Sequence, residues 1–127
     1  HGVETSDYAQ SNSMENVKQD ITKVNNYYNL DIEENFYDLV IGLGVVYTHS
    51  LKNAIKCIKE IQRIGKGKSF ITLASYSNEE DYWLFKDWTV LGTIILKKEE
   101  WLEVLKHCNY TGDYHFTNSE TLKLIRK

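Results

Sequence analysis

The strongest pattern in the chain is a helical stripe. Leu51, Ala54, Ile55, Ile58 and Ile61 recur at spacings of three and four, with Lys52, Lys56, Lys59 and Glu60 placed on the wet side. Ser50 stands at the N-cap, and Gly65-Lys66-Gly67 marks the end. Apolar runs of strand length flank this helix. Tyr37-Asp38-Leu39-Val40-Ile41 predicts a strand buried on both faces, ended by Gly42-Leu43-Gly44, and Ser69 to Tyr76 predicts a second buried strand.

Weaker patterns fill the rest. Ser6 to Gln19 is polar and helix-tolerant, with Ser6 and Asp7 as candidate caps. Ile21 to Val24 predicts a short strand, and Asn25-Asn26-Tyr27-Tyr28-Asn29 a polar loop. Asn78-Glu79-Glu80-Asp81 opens a helix with acids in its first turn, where the helix dipole favours them. Lys98 to Cys108 reads as another amphipathic helix, with Trp101, Leu102, Leu105 and Cys108 inward. Asp113 to Thr117 and Thr121 to Arg126 are expected to close the fold as a pair across a turn at Asn118-Ser119. Strands alternating with helices imply crossover units. The expected class is α/β, with a mostly parallel sheet, helices on both faces and one antiparallel strand near the C-terminus.

Composition narrows what such a fold can do. With 127 residues, one domain is expected. Fifteen basic against eighteen acidic residues give a net charge of −3, no footprint for nucleic acid. No run reaches the roughly 18 apolar residues of a membrane span. Two cysteines make no disulfide framework and fit a reduced, cytoplasmic setting.

Few residues carry a chemical signal by themselves. Gly67-Lys68-Ser69 resembles the tail of a phosphate loop, but Gln62 stands where the first glycine is required, and the segment runs from helix into strand. Gly42-Leu43-Gly44 follows a strand, where open parallel sheets place their ligand crevice, and is also an ordinary tight turn. Glu4 follows Gly2-Val3; a carboxylate at a strand end can accept from both hydroxyls of a ribose. His49, His107 and His115 have no metal-ligand spacing, and Cys57 and Cys108 fall on apolar helix faces. The aromatic cluster Tyr76, Tyr82, Trp83, Phe85 and Trp88 suits packing first and a substrate lid second.

Taken in order, these segments resemble class I S-adenosylmethionine-dependent methyltransferases, a Rossmann-like family. Phe36-Tyr37-Asp38-Leu39-Val40-Ile41 is similar to the fourth-strand motif of that family, an aromatic residue followed by Asp-Leu-Val. The helix ending Ile58 to Gly67 resembles the following helix and glycine turn, and Ser69 to Ser75 occupies the place of the fifth strand. Gly2 to Ala9 looks like the end of the second strand and the next helix, and Tyr110 to Tyr114 like the start of the sixth strand.

The resemblance implies roles residue by residue. Glu4, with Thr5 beside it, matches the acid that holds the cofactor ribose; Asn26 and Tyr27 match the positions that hold adenine. Gly42, Leu43 and Gly44 match the segment that passes the methionine part of S-adenosylmethionine. Tyr47, His49 and Tyr76 fall near the expected site of a small-molecule methyl acceptor, with no catalytic base singled out. The glycine-rich loop after the first strand of that family is missing here, and the chain begins His1-Gly2-Val3-Glu4 rather than with Met. Residues 1–127 are therefore expected to be a domain from its second strand onward, with a half-built cofactor site and no activity alone. The alternative is a non-catalytic Rossmann-like interaction module, or a degenerate domain.

Overall fold

A computed structural model describes residues 1–125. Its first unit is built from very short elements: β1 (Gly2–Glu4), α1 (Asp7–Ser11), α2 (Glu15–Lys18) and β2 (Ile21–Lys23). Ser6 caps α1 as its residue type dictates, its hydroxyl accepting from the Ala9 amide at 3.2 Å. β1 and β2 pair in parallel, Val3 opposite Thr22.

The second unit holds the core. Here β3 (Val40–Gly42) and β4 (Ser69–Ala74) flank α3 (Leu51–Ile64), followed by α4 (Glu79–Trp88), α5 (Lys98–His107) and β5 (Asp113–Thr117). The strand order is β3-β4-β5, with both pairings parallel. Alternation along β4 buries Ile71 and Leu73, which pack with Ala54, Cys57, Ile58 and Ile61 of α3 and Trp101 and Leu105 of α5. Phe85 of α4 meets Ala74 and Ile95 in a smaller cluster. The Trp101 indole N–H donates to the Ala74 carbonyl at 2.6 Å, so the largest core side chain is also satisfied.

Among the described residues the expected antiparallel strand is absent, and both sheets are wholly parallel. β5 lies beside β4, Phe70 opposite Asp113 through Ala74 opposite Thr117. The chain after it coils instead of returning. The Asn118 side chain accepts from the Thr121 amide, the Asn118 carbonyl from Leu122 and the Ser119 carbonyl from Leu124. These local bonds outcompete an extended partner, and Leu122 and Leu124 pack on the Ala74–Phe85 cluster. Arg126, the far end of the expected strand, lies outside the described residues.

Three smaller expectations are corrected. The strand around Tyr37 is not buried on both faces: Leu39 is 57% and Ile41 58% exposed, because only the face of Val40 and Gly42 packs on the core. Glu60 is not on the wet side of α3 but buried, its Oε1 accepting from the Leu30 amide at 2.8 Å and from Arg63 at 2.7 Å. The residue after α3, Gly65, is extended; Gly67 takes the left-handed turn, at φ 75°.

Candidate functional site

The rings of His1 and Tyr37, which lie ahead of β1 and β3, stack at 6.1 Å. The Tyr27 hydroxyl donates to Glu4 at 3.2 Å, and the Tyr27 ring lies 6.0 Å from that of His49. Between the two sheets a groove of about 320 Å³ runs along both β1 and β3. Its lining includes Glu4, Tyr27, Val40, Gly42 and Val45, over a floor of Cys57, Ile61 and Ile64 from α3.

Glu4 is held in place at the rim. Its Oε1 accepts from the Ser6 amide at 2.7 Å and from Tyr27. The Ser6 amide is the main influence keeping its carboxyl below the usual glutamate range, with Tyr27, Thr5 and Lys23 acting the same way against desolvation. Both bonds use Oε1, so Oε2 is the oxygen left for a ligand. Thr5 joins the same group, its amide and hydroxyl reaching the Tyr27 oxygen at 3.3 and 3.2 Å. The Asn26 side chain instead accepts from the Tyr28 amide at 3.0 Å, an Asx turn that shapes the loop.

On the other rim, Gly42 is buried where β3 crosses α3. A Cβ there would sit 3.3 Å from Ile61 and 3.4 Å from Ile71, so glycine sets how closely strand and helix approach. Gly44 takes the left-handed conformation, φ 66°, and its amide donates to Thr72 at 2.8 Å. Between them the side chain of Leu43 is 61% exposed. Tyr47 follows Gly44 closely, since a Cβ on Gly44 would lie 3.5 Å from its hydroxyl. Burial raises the Tyr47 phenol and lowers the His49 imidazole, which favours the neutral form of each. His49 Nε2 is buried without a partner, between Tyr27 and Tyr28.

The structure therefore brings Glu4, Tyr27 and Gly42 into the lining of one groove, with Thr5 bonded to Tyr27 beside it. Asn26, Leu43, Gly44, Tyr47 and His49 lie outside that lining. The structure does not bring Tyr76 there either. Tyr76 lines a second groove of about 450 Å³ with Asn78, Tyr82, Trp83 and Lys97. Asn78 also caps α4 there, accepting from the Asp81 amide at 3.0 Å. Sequence reasoning missed Asp81 itself. Buried, it accepts from the Ser77 and Ser119 amides at 2.7 and 3.1 Å and from the Ser119 hydroxyl, tying α4 to the chain after β5. Among the described residues no three His, Cys, Asp or Glu side chains converge as metal ligands. No described helix is long and apolar enough to cross a membrane.

Parallel strands linked through helices are consistent with the Rossmann-like class, broadly associated with nucleotide and cofactor binding. Comparison with protein-family models, curated proteins and solved structures finds no match to the chain.

Proposed function

We propose that this chain contributes the cofactor site of an S-adenosylmethionine-dependent methyltransferase acting on a small molecule. The observation that carries the reading is that Glu4 and Gly42, each the last residue of its strand, line one groove. A carboxylate with one oxygen anchored and one free is suited to a ribose diol. Tyr27 and Asn26 supply a ring and an amide for adenine, and the glycine segment lets the methionine part pass close to the backbone.

The cofactor supplies the reactive sulfonium methyl. The protein's share is binding, orientation and exclusion of water. Tyr47 and His49, both favoured in their neutral forms, keep charge away from the chain that follows β3. Tyr76, in its separate groove, would contact only an acceptor long enough to reach it.

Calorimetry of the intact protein with S-adenosylmethionine tests the reading. Micromolar binding is expected, weakened at least ~10-fold in Glu4→Ala through loss of a charge-assisted diol contact and unchanged in Glu15→Ala on α2. No heat at millimolar cofactor would overturn it. The exposed edge and apolar face of β3 favour a second reading, a module that completes its sheet with another polypeptide.

A further inference from the structure

We propose that the groove beyond the end of β4, lined by Tyr76, Tyr82, Trp83, Glu79 and Lys97, binds the quaternary ammonium group of a small molecule. It is separate from the groove assigned to the cofactor and does not depend on that reading.

The fold holds the rings in place. Tyr76 leaves the carboxyl end of β4, the middle strand of its sheet, and open parallel sheets place ligands beyond such ends. Its amide donates to the Leu96 carbonyl at 3.2 Å, and Tyr76 and Tyr82 both pack against the cluster of Ala74, Phe85 and Ile95. Trp83, the next residue on α4, is half exposed and adds a third ring to the lining.

Their geometry selects the shape of the ligand. Tyr82 meets Tyr76 at 5.2 Å with 75° between the planes, and Trp83 at 5.2 Å with 86°. Rings at near right angles form a corner, which suits a compact, rounded group and offers a flat one no parallel pair of faces. Chemistry selects its charge. Aromatic faces attract a cation, and methyl groups on nitrogen spread that charge over an apolar surface that leaves water readily. Glu79 adds a carboxylate with which no described cation pairs, and Lys97 lies over none of the three rings. A sugar would need free polar groups. Here the Asn78 side-chain oxygen already accepts from the Asp81 amide, and the Ser77 amide already donates to the Asp81 carboxylate.

Amide and indole chemical shifts, followed as choline chloride is added to the protein, test the site. Saturating shifts at the Trp83 indole and from Tyr76 to Trp83 are expected, with a dissociation constant of about 1–10 mM, as an open site with three rings allows. The uncharged isostere of choline, with a tert-butyl group in place of the trimethylammonium, should bind at least ~5-fold more weakly. Trp83→Ala should weaken choline binding at least ~3-fold, and Lys97→Met, which removes an opposing charge, should strengthen it about 2-fold. The isostere comparison uses the unaltered protein, so it stands if either variant fails to fold. Equal affinity for the isostere would overturn the proposal, since an apolar groove alone would explain it. So would glucose bound at the same residues as tightly as choline, weaker choline binding by Lys97→Met, or no shift at about 100 mM choline.

Discussion

At the scale of residues, two buried carboxylates hold parts of the chain together. Glu60 accepts from the Leu30 amide and from Arg63, whose guanidinium reaches the carbonyls of Leu30 and Ile32 at 3.2 and 2.8 Å. The Arg63 hydrogen bond is the main influence lowering the Glu60 carboxyl against desolvation. A lowered folded value means that the stabilisation is full above the unfolded value and is lost as pH falls through the folded one. Glu60→Gln should therefore cost about 1–2 kcal/mol in urea melts at about pH 7, and the gap should shrink as pH falls through the folded value. A gap unchanged by acid would mean the charge is not what matters. Asp81→Ala should cost about 1–3 kcal/mol, since it strands the Ser77 and Ser119 amides. Neither residue announces this role in the sequence. Glu60 sits among lysines at a surface-like helix position, and the partners of Asp81 are four and thirty-eight residues away.

At the scale of elements, what was legible is what local rules decide. The α3 stripe, the Ser6 cap and the Asn78 cap all follow from spacing or from a side chain reaching a nearby amide. Asn78→Ala should lower stability by about 1 kcal/mol in thermal melts, through the end of α4 alone. What failed is what neighbours decide. Asp113–Thr117 reads as a strand but does not say whether β4 or the next segment pairs with it, and Asn118, Ser119 and Thr121 suit a hairpin turn as well as the coil they form. Leu39 and Ile41 read as interior residues because an apolar run does not reveal that one face of its strand lies open. Glu4 and the glycines were legible as types at strand ends. The groove that Glu4 and Gly42 share depends on how the two sheets face one another, which no local pattern encodes.

At the scale of the whole molecule, the two sheets are unequal. No described residue before Gly42 is fully buried, whereas Ile71 and Leu73 are wholly enclosed. The chain between β2 and β3 is tied to α3 through Glu60, Arg63 and Lys56, which lies over the Tyr28 ring at 5.5 Å. Amides in β1 and β2 should thus exchange at least ~100-fold faster than those of β4, through local opening rather than global unfolding. Equal rates would mean one cooperative unit. The ligand reading needs the two units to act as two walls of one site. The most direct measurement is therefore amide chemical-shift mapping of the intact protein with S-adenosylhomocysteine, the demethylated cofactor. Shifts at Thr5, Ser6 and Tyr27 on one wall and at Gly42 and Gly44 on the other, saturating together, are expected. Shifts confined to the groove of Tyr76 and Trp83, or none at millimolar ligand, would contradict the site.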